Sequence, residues 1–119
     1  MTDDVRAIGQ RMYDAFNTGD FDAAKTIFAD DFVSHPLGTT GAASVTASWT
    51  RFHAAYPDVR VAVEDMLVDG DRVAVRTTLR GTPADVAGED PPTMFEIFRV
   101  HDGRIAELWG VSTLDRRGR

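Results

Sequence analysis

The chain has 119 residues, a net charge of −6, 43% hydrophobic residues and no cysteine. This length suits one domain with one principal core, and the composition is that of a globular protein. The acidic charge disfavours nucleic acid and anionic membrane surfaces as partners, because both are themselves negatively charged. The lack of cysteine excludes disulfides, thiolate nucleophiles and thiolate metal sites.

The ends of the chain carry no targeting pattern. The N-terminal residues do not resemble a signal peptide, and no apolar run approaches the length of a membrane span, so we expect a cytoplasmic protein. At the other end, Arg116, Arg117 and Arg119 are typical of a solvated terminus. We therefore expect one domain over residues 1–119, with a flexible tail from about residue 115.

The first half of the chain has the apolar periodicity of helices. The region from Asp3 to Asn17 predicts a first helix, and Asp20 is placed to cap a short second helix. A third helix is predicted up to Pro57, which ends it. The apolar positions are Val5, Ile8, Met12, Ala15 and Phe16 in the first helix, Phe21, Ala24, Ile27 and Phe28 in the second, and Val45, Trp49, Phe52 and Tyr56 in the third.

The second half alternates apolar and polar residues, which predicts half-exposed strands over residues 59–64 and 72–80. The pairs Asp69-Gly70 and Asp102-Gly103 supply the positive φ angles of tight turns, so we expect two antiparallel hairpins. Residues 81–92 are rich in Gly, Pro, Asp and Ala and predict a long loop that could overhang a pocket as a lid. Helices followed by an antiparallel sheet indicate an α+β fold.

Glu96 is the most informative local anomaly, because it stands among apolar residues in the predicted strand Met94–Phe98. Burial raises the pKa of a carboxyl group, and a neutral carboxylic acid can donate a hydrogen bond to a developing oxyanion. The alternative is an ion pair with Arg99, Arg76 or Arg80 from a neighbouring strand. The pattern alone leaves both interpretations open.

His35 is the second candidate, since an imidazole can exchange protons near neutral pH. Pro36 biases it away from helix and places it where a short extended segment ends, so it could equally be a hydrogen-bonded turn residue. His53 and His101 are interpreted as surface residues, and the three histidines lack a metal-ligand spacing. The aromatic and Met side chains could line an apolar ligand cavity or simply form the core: Trp49, Phe52, Tyr56, Met94, Phe98 and Trp109.

Several segments together resemble a known superfamily. Residues 12–20 and 28–32 resemble the opening helices of the nuclear-transport-factor-2-like superfamily, and residues 52–58, 68–73 and 97–109 look like its SnoaL-like polyketide cyclase branch. The resemblance spans nearly the whole chain. It implies a cone-shaped, curved antiparallel sheet wrapped around three N-terminal helices, commonly in a homodimer formed through the sheet.

The resemblance also assigns roles to residues. In ketosteroid-isomerase relatives the position of His35 holds the general base and that of Glu96 an acid that stabilises the oxyanion. The tyrosine that shares this oxyanion role falls on Met12, beside Tyr13. Three positions depart from the cyclase pattern: Gly110 replaces an aspartate, Leu108 a histidine, and Pro83 the histidine of a Gly-Thr-His motif.

These features together predict a cofactor-independent, metal-free cyclase or isomerase. It would abstract a proton α to a carbonyl of a hydrophobic polycyclic ketone or keto-ester, with His35 as base and protonated Glu96 as the hydrogen-bond donor to the enolate. The substrate would contact Met12, Tyr13, Trp49, Phe52, Met94, Phe98 and Trp109. The alternatives are a hydroxylase-type tailoring enzyme of the same branch and a non-catalytic binding or dimerisation module.

Overall fold

The computed structural model describes residues 2–114, so the arginine-rich tail lies outside the described residues. The helices are α1 (Thr2–Thr18), a 3₁₀ turn (Phe21–Ala23), α2 (Ala24–Ile27), α3 (Ala42–Ala55) and α4 (Pro83–Val86). The strands are β1 (Phe28–Ser34), β2 (Thr39–Thr40), β3 (Arg60–Asp69), β4 (Arg72–Arg80), β5 (Thr93–His101) and β6 (Arg104–Ser112). None of the helices within residues 2–114 is long and apolar enough to cross a membrane.

The six strands form one sheet in the order β2-β1-β6-β5-β4-β3. Neighbouring strands are antiparallel except for β1 and β6, which run parallel. Because β1 enters the sheet from the helical layer and not through a hairpin, its direction is free to match that of β6. The predicted α+β fold, with a curved sheet around N-terminal helices, is confirmed. The sheet is unclosed, and its parallel pair differs from the fully antiparallel sheet that was predicted.

The core lies between α1 and the inner face of the sheet. The apolar stripe predicted for α1 is buried, and it meets inward side chains of β4 and β5 such as Val73, Val75 and Phe98. Gly9 allows this approach, because a Cβ at its position would lie 2.8 Å from the Cζ of Phe98. The helix is therefore fixed closely against β5, the strand that carries Glu96.

The second predicted helix is shorter than its apolar spacing indicates. Phe28 begins β1 in an extended conformation, although its spacing from Ala24 and Ile27 fits a helix. Phe28 and Phe32 are four residues apart on β1 and therefore point to the same face, where their ring centroids lie 4.7 Å apart. The apolar spacing over residues 24–28 is thus divided between the end of α2 and the first residue of β1.

The hairpin predictions are confirmed, and the segment that could have overhung a pocket lies away from the main cavity. Asp102 and Gly103 both have positive φ angles in the turn between β5 and β6. Residues 81–92 include α4, and the carboxylate of Asp85 accepts hydrogen bonds from Arg80 and from the backbone of Gly81. None of these residues lines the main cavity, so the segment does not overhang it.

Candidate functional site

A cavity of about 520 Å³ lies between the helices and the inner face of the sheet. Its walls come from α1, α3, β1, β5 and β6, and they are mostly apolar. A few polar groups interrupt this surface, which is the usual character of a small-molecule site. The polar lining residues are Tyr13, Ser34, Ser44, Ser48, Arg51, Tyr56, Glu96 and Ser112.

Glu96 enters the cavity because side chains alternate along β5. Phe95 and Ile97 are exposed on the outer face of the sheet, so Glu96 between them faces inward. Its partner across the ladder is Gly110 of β6, where an added Cβ would lie 3.2 Å from the Cγ of Glu96. The missing side chain at position 110 therefore provides the space that the Glu96 carboxylate occupies.

Tyr13 is the hydrogen-bond partner of Glu96. Its hydroxyl donates to Oε1 of Glu96 over 2.7 Å, and the tyrosine is only 4% exposed. Burial raises the pKa of Glu96 above its ordinary value, while the bond from Tyr13 acts in the opposite direction and is the smaller effect. Burial and the neighbouring carboxylate also raise the pKa of Tyr13, so its hydroxyl keeps its proton and acts as a donor.

The resemblance placed the oxyanion tyrosine at Met12, and the geometry favours its neighbour. Both residues line the cavity, but only Tyr13 carries a hydroxyl, and that hydroxyl reaches Glu96. Residues one step apart on a helix point about 100° away from each other, and both directions from α1 still meet the cavity wall.

His35 does not share the cavity with Glu96. Its backbone N–H donates to Leu108 and extends the ladder between β1 and β6, so its side chain points opposite to that of buried Ser34, which lines the cavity. On the outer face, Nε2 of His35 lies 2.7 Å from Oε2 of Glu107. The imidazole also stacks on Trp109, with the rings 7° from parallel. The expected pairing of His35 and Glu96 in one pocket is therefore wrong.

Glu107 forms hydrogen bonds with two side chains on this outer face, His35 and Arg99. His35 bonds to one of its oxygens, and Arg99 donates to the other over 3.1 Å. The hydrogen bond with His35, and secondarily that with Arg99, lowers the pKa of Glu107. His35 therefore belongs to a network of polar and aromatic side chains on the outer surface of the sheet.

The predicted substrate-contact residues divide in the same way. Met12, Trp49, Phe52 and Met94 line the cavity together with Tyr13. Trp109 lies on the outer face of the sheet, where the guanidinium of Arg72 is 5.2 Å from its ring. Phe98 faces inward but is fully buried against α1, away from the cavity. Alternation along β5 places Phe98 on the same face as Glu96 and does not separate the two, and the face of Trp109 depends on the register of β6.

The other two histidines also differ from each other. His53 is partly buried and donates to the carbonyl oxygen of Phe16, in contrast to its predicted surface position. His101 is exposed beside Asp102, as predicted. Within residues 2–114, no three His, Asp or Glu side chains are grouped so that they could hold a metal ion.

Sequence reasoning missed two residues of the site, Gly110 and Arg51. Gly110 was considered only as a lost aspartate; a regular hairpin at Asp102-Gly103 would place Trp109 opposite Glu96, and the register shift between Arg99 and Val100 moves the partner to Gly110. Arg51 lies beside the apolar stripe of α3, and a helical projection places it with Ser44 and Ser48 on a polar seam. The signal for Arg51 was therefore present in the sequence, whereas that for Gly110 depends on the bulge in the ladder.

The comparisons with known proteins agree with this fold. A family model described as SnoaL-like domain matches residues 10–108. The crystal structure of IdmH from Streptomyces antibioticus, a candidate polyketide cyclase, is 31% identical, covers 92% of this chain and 91% of its own, and superposes with a TM-score of 0.78. A candidate polyketide cyclase from Bacillus cereus is 26% identical over 92% of this chain and 74% of its own, with a TM-score of 0.80.

A more distant structure supports the fold alone. A candidate ketosteroid isomerase from Kribbella flavida is 22% identical, covers 96% of this chain and 81% of its own, and has a TM-score of 0.75. No curated protein matches the chain. Since the family model covers most of the sequence, the chain belongs to the SnoaL-like family.

Proposed function

We propose that the chain is an enolising enzyme, a cyclase or isomerase that removes a proton α to the carbonyl of a hydrophobic ketone or keto-ester. The observation that carries this proposal is the pair formed by Glu96 and Tyr13 inside an apolar cavity. The candidate polyketide cyclase names of the more similar structural neighbours support the same class of reaction.

Glu96 is the proton acceptor in this proposal. Among the described residues that line the cavity, the ionisable ones are Tyr13, Arg51, Tyr56 and Glu96, and Glu96 is the one carboxylate. A catalytic base works best when its pKa lies near the working pH, and burial raises the pKa of Glu96 in that direction. This assignment replaces His35, which lies on the other face of the sheet.

Tyr13 stabilises the enolate as the proton leaves. A carbonyl oxygen and its α-carbon are separated by two covalent bonds and lie about 2.4 Å apart. This distance is close to the 2.7 Å between the Tyr13 and Glu96 oxygens. One substrate can therefore contact both groups. When Glu96 becomes protonated, it no longer competes as a charged acceptor for the Tyr13 hydroxyl, which can then donate to the enolate oxygen.

Gly110 links this geometry to the cyclase pattern. The resemblance expects an acid/base aspartate at position 110, and here Glu96 of the neighbouring strand lies over that position. The longer glutamate side chain reaches across one strand spacing into the space that glycine leaves. We propose that the carboxylate function is kept while the strand that supplies it has changed.

The test is exchange of the α-proton with D₂O, followed by NMR on a panel of polycyclic ketones and keto-esters. We expect exchange with the wild type, a loss of about 10²- to 10⁴-fold in Glu96→Gln, and little change in the control His35→Gln. Exchange that survives in Glu96→Gln would remove Glu96 as the base. Binding without exchange in the wild type would favour a non-catalytic binding module.

We also propose that the outer face of the sheet binds a second copy of the chain. Leu67, Phe95 and Ile97 expose large apolar side chains there. The same face carries both signs of charge, including an ion pair between Arg76 and Asp65. A twofold axis through such a face would bring apolar groups and opposite charges together, which favours self-association over a partner of a single charge.

A further inference from the structure

We propose that Arg51 makes the cavity selective for anionic ligands, so that the substrate has an apolar body and an acidic group at its outer end. This inference rests on the proposed function only in assuming that the cavity takes an apolar small molecule. It adds the charge of the ligand, which neither the family match nor the paired Glu96 and Tyr13 indicates.

Arg51 is the single cation among the described residues that line the cavity. It belongs to α3 and is exposed, whereas the cavity floor near Tyr13, Phe28 and Phe32 is deeply buried. The arginine therefore lies at the mouth, and Glu96, supplied by β5 of the sheet, lies deeper on a different wall. A ligand that reaches Glu96 with its reacting carbonyl can extend its other end towards Arg51.

The guanidinium of Arg51 has no hydrogen bond or ion pair with any of the described side chains, which are those of residues 4–114. In contrast, most of the other arginines are engaged: Arg76 with Asp65, Arg80 with Asp85, Arg99 with Glu107, Arg104 with Asp30, Arg6 with Met66 and Arg72 with Trp109. The guanidinium of Arg51 has five N–H donors, which suit the two oxygens of a carboxylate or the oxygens of a related anion.

Ser48 adds a neutral donor beside the arginine. Residues 48 and 51 are three apart, so they lie on the same side of α3, and both line the cavity. Ser44 continues this seam, but its hydroxyl already donates to the carbonyl of Gly41. The polar seam runs beside the apolar stripe of Val45, Trp49 and Phe52, so one helix offers both an apolar surface and an anion-binding end.

The test compares two dyes that differ only in an anionic group. 8-Anilinonaphthalene-1-sulfonate carries a sulfonate, and N-phenyl-1-naphthylamine has the same aromatic body without it. Dissociation constants for both dyes would be measured by fluorescence on the wild type, Arg51→Met, Arg51→Lys and Arg104→Met. The last variant is the matched control, because it removes the same charge from a partly exposed arginine that does not line the cavity.

We expect Arg51→Met to reduce the preference for the sulfonate dye by about 3- to 10-fold, the range between an exposed ion pair and a charge-assisted hydrogen bond. Arg51→Lys should keep most of the preference, and Arg104→Met should keep all of it. An equal loss in Arg51→Met and Arg104→Met, or no loss in either, would overturn the proposal. Failure of the wild type to bind either dye would overturn it as well.

This measurement is independent of turnover. If ketones bind but no α-proton exchanges, the proposed reaction fails while the anion preference can still be present. If exchange occurs but the dye preference is unaffected by Arg51→Met, the reaction stands and the selectivity of Arg51 is wrong. The two proposals can therefore fail separately.

Discussion

Replacement of Tyr13 by phenylalanine tests the coupling between the two groups of the site. The hydroxyl lies 2.7 Å from Oε1 of Glu96 and is the hydrogen bond that lowers the pKa of this buried carboxyl. A hydrogen bond contributes about 1.5–3 kcal/mol to a charged group and about 0.5–1.5 kcal/mol to a neutral one. The difference, about 1–1.5 kcal/mol, is the extent to which Tyr13 favours the ionised form of Glu96.

Tyr13→Phe should therefore raise the pKa of Glu96 and reduce its ionised fraction about 5- to 10-fold at a fixed pH on the rising limb of the pH profile, so that α-proton exchange falls by at least this factor. The midpoint of the pH profile measures the pKa of Glu96. The rate at the plateau, where Glu96 is fully ionised, measures the additional loss of the hydrogen-bond donor to the enolate. A ¹³C NMR titration of the Glu96 carboxyl measures the same shift without substrate. Isotopic labelling of glutamate and comparison with Glu96→Gln identify its signal.

Tyr56→Phe is the matched control for this prediction. Tyr56 lines the same cavity, and no hydrogen bond of its hydroxyl is found within residues 2–114. Its removal should leave the midpoint of the profile unchanged. An unchanged or lowered Glu96 pKa in Tyr13→Phe, or an equal shift in Tyr56→Phe, would refute the reasoning.

Three further perturbations test other parts of the account. Because burial raises the pKa of Glu96 in the folded state above its unfolded value, the free energy of unfolding of the wild type should fall as pH rises from the unfolded pKa to the folded pKa. Glu96→Gln should escape this loss, so its stability relative to the wild type should rise by about 1.4 kcal/mol for each pH unit between the two pKa values. Chemical denaturation at pH 4 and at pH 8 measures this relative stability, and the same value at both pH values would contradict the prediction. Gly110→Ala should displace the Glu96 side chain and reduce exchange by about 10-fold or more, with a modest fall in Tm because the added Cβ would also lie 3.2 Å from the backbone oxygen of Phe95. Full activity would contradict the close approach of Glu96 and Gly110. Ile97→Lys should raise the Kd of the proposed dimer at least about 30-fold, as measured by light scattering, whereas Val86→Lys, which changes an exposed residue of α4, should leave the Kd unchanged. A dimer that persists in Ile97→Lys, or a wild type that is monomeric at all concentrations, would contradict the proposed dimer.

The fold could be predicted to a large extent because its signals are local. The stripe of α1 and the Asp102-Gly103 turn depend on neighbouring residues, and both are found as expected. The start of β1 could not be read in this way, since the spacing of Ala24, Ile27 and Phe28 fits a helix, and only the pairing of Phe28 with Ile105 of β6 places Phe28 in the sheet. Long-range pairing overrides local periodicity at that point.

The site was predicted only in part, for a related reason. Glu96 was found because a carboxylate among apolar residues is anomalous within its own strand. His35 was assigned from a position in the resemblance, but the last ladder bond of β1 turns its side chain to the outer face. A step of one residue along a strand reverses the face, so the roles of Ser34 and His35 depend on register and not on residue type.

Chemical rescue of Glu96→Ala tests the central claim most directly. The substitution leaves an opening beside Gly110, in which a small carboxylate such as formate or acetate can take the place of the missing side chain. If Glu96 is the base, exchange of the substrate α-proton should be lost in Glu96→Ala and return in proportion to the added carboxylate, more strongly with the more basic acetate. Exchange that remains in Glu96→Ala without added carboxylate, or that no carboxylate restores, would contradict the account.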